Sequence, residues 1–149
     1  METTDVKKEA LAELSSPQYD FILLDFDHTF FLDNSTDRYL DALRPRLLAF
    51  ILVAASDWII RALAWFGLCS YNNQRDFMRV LICTLLMPWN LLWWHTNAAK
   101  LAKDKINAQL LETLPKDKPV VVLSHGFQHI IHPMLQAVGL SRVTLVASH

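Results

Sequence analysis

The stretch FILLDFDHTF, residues 21–30, is an apolar run that ends in two acids. Four apolar residues lead into Asp25, and a second acid, Asp27, follows after a single phenylalanine. An uninterrupted apolar run of this length is typical of a β-strand that is buried on both faces of a parallel sheet. Because the carboxyl ends of such strands border the crevice where ligands bind, the two carboxylates are predicted to lie at a functional site.

Two further apolar runs predict two more strands. Residues 119–124 read PVVVLS, and residues 142–147 read RVTLVA. Between them the sequence predicts a helix over 130–138, closed by the glycine that follows it and carrying Pro133 in its first turn. Strand, helix and strand at this spacing form a βαβ unit with parallel pairing. We therefore expect an α/β fold with a Rossmann-like parallel sheet, in which strand 20–25 lies beside the second strand and the third strand lies on the far side.

A long helical insert follows the first strand. Residues 35–113 are predicted to form a separate cap with a turn at NNQRD, residues 72–76, because the segment is much longer than a simple crossover. The core then comprises residues 20–34 and 114–149. Residues 1–19 are predicted to form an N-terminal tail or a short helix.

The insert is unusually apolar. Its window 47–68 is long enough to span a bilayer. The window also contains Asp57 and Arg61, whose i,i+4 spacing allows them to pair on one helix face. Three interpretations follow: a transmembrane hairpin, a cap that dips into the membrane, or a soluble apolar lid.

Tryptophans are frequent in the insert. Tryptophan favours the membrane–water interface, but we interpret these residues as the core of a helix pair, with the lining of an apolar substrate pocket as the alternative. They are Trp58, Trp65, Trp89, Trp93 and Trp94.

Composition limits the function classes. The chain has 149 residues, of which 52% are hydrophobic and 19% charged, so it suits one domain with a real core rather than a disordered chain. A net charge of −1 offers no electrostatic basis for binding nucleic acid. The polar start is not a secretory signal, and Cys69 and Cys83 follow no metal-ligand spacing. We expect a cytoplasmic protein, located at the inner face of the membrane if the cap makes peripheral membrane contact.

The closeness of Asp25 and Asp27 suggests phosphoryl chemistry. Two such carboxylates repel each other unless a cation lies between them or one is protonated, and Mg²⁺ prefers oxygen ligands. One acid can then attack a phosphoryl group while the other donates and recovers a proton. The alternative is an Asp-rich turn that caps the next element. Thr29 favours the functional interpretation, as does Ser124, whose hydroxyl is predicted to face the same crevice and bind a phosphate oxygen.

Both motifs resemble those of the haloacid dehalogenase superfamily. LLDFDHTF, residues 23–30, is similar to its first motif, Asp-x-Asp-x-Thr after a hydrophobic strand. VVVLSHGF, residues 120–127, is similar to its second motif in the form found in phosphoserine-phosphatase-like members, which carry a cap directly after the first motif. The apolar cap also resembles, in composition and layout, the phosphatase-like domains fused to membrane prenyltransferases of the UbiA type. The resemblance implies a Mg²⁺-dependent hydrolase of small phosphomonoesters.

The resemblance also implies roles for individual residues. Asp25 would be the nucleophile that forms an aspartyl-phosphate, and Asp27 would be the general acid and base. Asp25 and the backbone carbonyl of Asp27 would bind Mg²⁺. Ser124 and Gly126 would bind the phosphate, and Thr29 would assist them or support the motif loop.

The sequence departs from the family pattern at two points. His28 stands where a glycine usually follows the second acid. No third-motif lysine and no fourth-motif acidic pair occur before the sequence stops at His149, so we expect the N-terminal portion of a phosphatase-like protein. The alternative is a catalytically incomplete module that is membrane-associated or acts with a partner.

Three histidines near the second motif allow another interpretation. His125, His129 and His132 are spaced four and three apart, so on one helix they would share a face and could hold a transition metal. The helix is predicted to begin after His125, which disfavours such a site. In the other interpretation His125 lines the phosphate pocket and the other two lie at the surface or an interface.

Overall fold

The computed structural model describes residues 20–115, 118–141 and 143–148. Over these residues the chain is mixed α/β, with a small parallel sheet of three strands and six helices. The predicted N-terminal tail, residues 1–19, lies outside the described residues. The strands β1–β3 are Ile22–Asp25, Val120–Phe127 and Thr144–Ser148, and the helices α1–α6 are Ser35–Ala42, Arg46–Trp65, Tyr71–Leu86, Trp89–Lys105, Ala108–Thr113 and Gln128–Ala137.

The strand order is β1-β2-β3, and both pairs are parallel, as predicted. Asp25 is the register partner of Leu123, so Asp25 and Ser124 lie at the same end of adjacent strands. β2 continues past Ser124 to Phe127 with an irregular register. α6 connects β2 to β3 and packs on both, which completes the predicted βαβ unit.

The prediction that the first strand is buried on both faces is wrong. Ile22 and Leu24 are buried, whereas Leu23 and Asp25 are exposed. Side chains of a strand alternate between the two faces, so this pattern shows that only one face enters the core. On the other face Leu23 and, from β3, Val146 are each more than half exposed.

α6 begins at Gln128, two residues earlier than predicted, so Pro133 lies inside the helix rather than in its first turn. A proline there removes a backbone hydrogen bond and crowds the preceding turn. Burial of the helix's apolar side offsets this local cost, since packing supplies most of a helix's stability in a folded protein. Gly139 adopts a φ of +81°, the left-handed conformation expected of a glycine just after a helix. The buried side chains of α6 are Ile130, Ile131, Pro133, Met134 and Leu135.

The turn in the helical insert lies at 66–70, not at the predicted 72–76. Gly67 has a φ of +71°, and its N–H donates to the carbonyl of Ala64, which ends α2 with a left-handed glycine. Residues 72–76 belong to the start of α3 instead. The glycine was the stronger signal, because only it supplies the positive φ that the end of the helix requires.

The chain forms two compact units. One contains the sheet and comprises the described residues up to Ser35 and from Ala98 onward. The other is helical and comprises Thr36–Asn97, including α2 and α3, which pack against each other. The predicted cap, 35–113, has wider bounds, and they stay a prediction.

The core of the helical unit contains one of the tryptophans. Trp94 is buried and packs edge-to-face on Tyr39, with ring centroids 5.4 Å apart. Tyr39 Oη lies 2.9 Å from Thr84 Oγ1. The interpretation of the tryptophans as a helix-pair core is right for Trp94 and wrong for the other four, which are at least half exposed: Trp58, Trp65, Trp89 and Trp93.

Asp57 pairs with a different arginine from the one predicted. Arg79 of α3 donates from Nε and Nη2 to its two carboxylate oxygens at 2.7 and 2.6 Å. Arg61 instead lies over the ring of Tyr71, 5.4 Å from the centroid. Arginine on a facing helix can present its planar fork to both oxygens at once, which gives a stronger contact than an i,i+4 pair.

α2 is long and apolar enough to cross a membrane, judged by length and composition. The segment from Gln74 to Lys105, which bends by 116° between α3 and α4, passes the same test as a pair. Buried helices of soluble proteins also pass it, but only 17% of the apolar window of α2 is buried.

Candidate functional site

The loop after β1, residues 26–34, is held in place by buried aromatic side chains. Phe26, Phe30 and Phe31 are fully buried, and the rings of Phe26 and Phe31 stack with centroids 5.8 Å apart. The Phe31 N–H donates to the Phe26 carbonyl at 2.7 Å, and the Asn107 N–H donates to the Phe30 carbonyl at 2.8 Å. The apolar residues of the motif therefore anchor the backbone that carries the two acids.

Asp25 is the last residue of β1, and its side chain is exposed. The Thr29 hydroxyl donates to Asp25 Oδ2 at 2.7 Å, which orients the carboxylate. An accessible carboxylate oriented by a neutral donor is suited to attack an electrophile.

Asp27 is half-buried and accepts a hydrogen bond at each carboxylate oxygen. The backbone N–H of Ser35 donates to Oδ1 at 2.7 Å, and the Ser124 hydroxyl donates to Oδ2 at 2.8 Å. Ser35 is the first residue of α1, so Asp27 also caps that helix. The Asp27 side chain therefore both caps α1 and connects the first motif to the second motif.

The Ser124 hydroxyl both donates and accepts a hydrogen bond. Its hydroxyl proton goes to Asp27, and its Oγ accepts the N–H of Gly126 at 2.8 Å. A serine hydroxyl has one proton to donate. Binding a phosphate oxygen therefore requires this hydroxyl to turn away from Asp27.

Gly126 is buried in a space too small for a side chain. A Cβ at this position would lie 2.9 Å from Ile131 Cδ1 and 3.1 Å from the Oγ atoms of both Ser124 and Ser35. The close approach of these groups to the backbone accounts for a glycine here. Its N–H supports Ser124 in the structure, whereas its role in binding phosphate stays a prediction.

All five predicted site residues lie at the carboxyl edge of β1 or on the adjoining part of β2, and their hydrogen bonds form two groups. Asp25 bonds to Thr29, while Asp27 bonds to Ser124, which in turn bonds to Gly126. The nucleophile and the acid/base of the predicted reaction thus have separate partners. This separation allows the two carboxylates to be held in different environments.

His28 adopts a φ of +62°, in the left-handed region. Its N–H donates to the Asp33 carbonyl at 3.2 Å. Few residues other than glycine adopt this conformation, although histidine is among those that do so more often than most. The conformation gives a physical reason for the glycine that usually stands at this point of the motif.

Ser35 was missed as a site residue. Its N–H binds Asp27, and its own side chain is fully buried. Within the described residues its Oγ has no hydrogen-bond partner. A serine before a helical pattern is a recognisable start signal, but the approach of this helix start to Asp27 follows only from the fold.

The acids offer oxygen ligands of the kind Mg²⁺ prefers. The exposed carboxylate of Asp25 and the backbone carbonyl of Asp27 would hold the ion, which usually keeps several waters and needs few protein ligands. In the part of the chain that the structure describes, no group of three or more His, Cys, Asp or Glu side chains could hold a metal ion. The oxygen donors of Asp25 and Asp27 are of the type that Mg²⁺ binds, and the Mg²⁺ site stays a prediction.

The three histidines do not share one helix. His125 is an exposed residue of β2, whereas His129 and His132 belong to α6. The Gln136 side-chain amide donates to His132 Nε2 at 2.9 Å. Burial lowers the pKa of His129. The expectation that the helix begins after His125 is confirmed, and it removes the geometry on which a shared metal site depended.

No family model matches the sequence, and no curated protein and no solved structure matches it.

Proposed function

We propose that this chain is a Mg²⁺-dependent phosphomonoester hydrolase of the haloacid dehalogenase type. One observation carries the proposal: Asp25 is exposed at the carboxyl end of β1, two residues before an acid that hydrogen-bonds Ser124 on the parallel neighbour β2. The parallel sheet would then be the Rossmann-like core of this superfamily. Small phosphorylated molecules are the substrate class.

The reaction would proceed in two displacements at phosphorus. An Asp25 oxygen attacks, the bond between phosphorus and the ester oxygen breaks, and protonated Asp27 gives its proton to the leaving alcohol. Water then attacks the phosphorus of the aspartyl-phosphate, Asp27 takes a proton from that water, and phosphate leaves as the Asp25 carboxylate is restored. Mg²⁺, when bound, would neutralise negative charge between the carboxylate and the phosphoryl oxygens.

The surrounding contacts suit these roles. Thr29 orients Asp25 through a neutral hydrogen bond. Of the two donors to Asp27, the Ser35 N–H is fixed in the backbone, whereas the Ser124 hydroxyl can rotate. Turning that hydroxyl toward a phosphate oxygen would free Asp27 Oδ2 for protonation. Substrate binding and activation of the acid are thereby coupled.

The test is the hydrolysis of p-nitrophenyl phosphate by the full chain in Mg²⁺. We expect Asp25→Asn to lower the rate at least about 1,000-fold, because it removes a covalent nucleophile. The matched control is Asp20→Asn, at an exposed acid before β1, which should keep the rate. Borohydride reduction during turnover should convert residue 25 to homoserine. An Asp25→Asn variant that keeps most of the rate would overturn the mechanism.

A second candidate is a catalytically incomplete module that retains the fold. The observation in its favour is that both oxygens of Asp27 are already satisfied, by Ser35 and by Ser124. This candidate predicts that the full chain releases no phosphate in Mg²⁺ and forms no trapped intermediate, while titration calorimetry with inorganic phosphate still detects binding that Ser124→Ala weakens.

A further inference from the structure

The outer face of α2 is apolar except for Arg61. Leu47, Ile51, Trp58 and Trp65 follow one another at helical spacing and are 52–82% exposed. From Leu47 to Trp65 a single charged side chain, Arg61, is exposed. A surface helix of a soluble domain has the opposite arrangement, with its apolar stripe facing the core.

The same unit exposes further apolar residues on its other helices. Phe77, Leu81 and Leu85 of α3 are exposed, as are Trp89, Leu92 and Trp93 at the start of α4. Contiguous exposed apolar surface marks a contact with another molecule or a membrane.

Asp57, the acid near the middle of α2, is turned away from this surface, whereas Arg61 is exposed and lies over the ring of Tyr71. Asp57 faces α3 and is held by both sides of the Arg79 fork, and the two side chains are only 21% and 18% exposed. The hydroxyl of buried Ser56 donates to the Val53 carbonyl at 2.7 Å. Internal pairing of this kind is needed where the surroundings of a helix cannot solvate polar groups.

The dimensions and the ends of α2 fit a bilayer. The 19 residues from 47 to 65 span about 28 Å of helix, close to the thickness of a hydrocarbon core, about 30 Å. At the start of α2 both Arg44 and Arg46 are exposed, and Trp89 Nε1 donates to the Arg44 carbonyl at 2.8 Å. Tryptophan and arginine together are typical of the headgroup region, where arginine complements anionic lipid.

We propose that the exposed apolar face of the helical unit, residues 36–97, is immersed in a lipid bilayer. α2 lies in the hydrocarbon region, and Arg44, Arg46 and Trp89 lie at the headgroups. A helix resting on the membrane surface would need a strongly polar opposite face, but the remaining side of α2 packs on α3. The proposal is independent of the phosphatase mechanism, and its test needs no catalytic activity.

The first experiment is flotation of the full chain with vesicles of phosphatidylcholine containing a minority of phosphatidylglycerol. The protein should float and stay bound through high salt and alkaline carbonate. Three results would overturn the proposal: a soluble monomer that does not float, release by salt alone, or a soluble oligomer in which cross-links join the α2 faces of two copies.

The second experiment measures depth with the native tryptophans. Lipids brominated deep in the acyl chain should quench Trp58, near the middle of α2, more than lipids brominated near the headgroup, and Trp65 should show the reverse order. The quenching of each tryptophan is obtained as the quenching that is lost when that residue is replaced, in Trp58→Phe or in Trp65→Phe. If acrylamide in the water quenched both residues fully in the presence of vesicles, the proposal would be wrong.

A matched pair of substitutions completes the test. Ile51→Lys places a charge on the proposed lipid face and should lower partitioning into vesicles at least about ten-fold. Leu23→Lys changes an equally exposed residue, 57% against 52%, in the sheet unit and should leave partitioning unchanged. Circular dichroism establishes that both variants fold. Equal partitioning of the two variants would contradict the assignment of this face.

Discussion

Ser124 Oγ donates a hydrogen bond to Asp27 Oδ2 across 2.8 Å, although 97 positions separate the two residues in the chain. The same carboxylate accepts the backbone N–H of Ser35 at 2.7 Å. The loop after β1, the start of α1 and the end region of β2 therefore meet at one side chain. Changes at this junction are expected to affect stability and the proposed chemistry together.

Ser124→Ala should lower the free energy of unfolding by about 1–2 kcal/mol, because the Asp27 carboxylate and the Gly126 N–H each lose a partner. Urea denaturation measures the change. The control is Ser70→Ala, at an exposed residue whose side chain makes no capping hydrogen bond, with an expected change within about 0.5 kcal/mol. Equal effects of the two substitutions would mean that the Ser124 contacts contribute nothing.

Substitutions of His28 should separate backbone strain from side-chain effects. His28→Gly removes the cost of the left-handed conformation, about 1 kcal/mol, but makes the unfolded chain more flexible, so stability should rise slightly or stay level. His28→Val should lower stability by about 1–2 kcal/mol, because a β-branched residue is strained at a φ of +62°. Thermal unfolding of both variants measures the order of their stabilities. A valine variant as stable as the glycine variant would contradict the assigned backbone conformation.

The pair of Asp57 and Arg79 should show strong coupling. Arg79→Leu leaves the Asp57 carboxylate without its bidentate partner and should lower the free energy of unfolding by about 1–3 kcal/mol. This is less than for a fully buried pair, because both side chains are partly exposed. Adding Asp57→Leu should recover most of this loss. The control is Arg75→Leu, whose partner Asp76 is 46% exposed, with an expected cost below about 0.5 kcal/mol. Simple additivity of the two single substitutions would show that the ion pair does not stabilise the helix pair.

Stability should fall on acidification through His129. Burial lowers the pKa of this side chain, so the unfolded chain binds the proton more readily than the folded chain does. The contribution of neutral His129 to the free energy of unfolding is complete above the pKa of an unfolded histidine, about 6.5. It is lost as the pH falls through the lower pKa of the folded state.

Replacing His129 should therefore flatten the pH dependence. Unfolding free energies measured from pH 7 to 5 should decline less in His129→Gln than in the parent chain, by no more than about 1.4 kcal/mol per pH unit for one proton. His132→Gln, at an exposed residue of the same helix, should keep the parent slope. An unchanged slope in His129→Gln would assign the dependence to other groups.

The apolar runs determined the strands, their parallel order and the position of Asp25 beside Ser124. Such runs form strands because of local preference and burial. A helix that returns the chain to the start of the next strand gives parallel pairing. The place of the acids at the carboxyl edge follows from the covalent order alone. Gly139 likewise ends its helix from a local backbone requirement.

Only the tertiary structure determines which side chains remote in sequence bind each other. Asp57 binds Arg79 of the facing helix because packing brings a bidentate fork within reach, which no i,i+4 rule describes. Pro133 is accepted inside α6 because burial of the surrounding side chains outweighs a local helix defect. Asp27 is shared by Ser35 and Ser124 because two segments remote in sequence converge on one carboxylate. Hydrogen bonds and packing depend on proximity in space, which a linear pattern specifies only within a few residues.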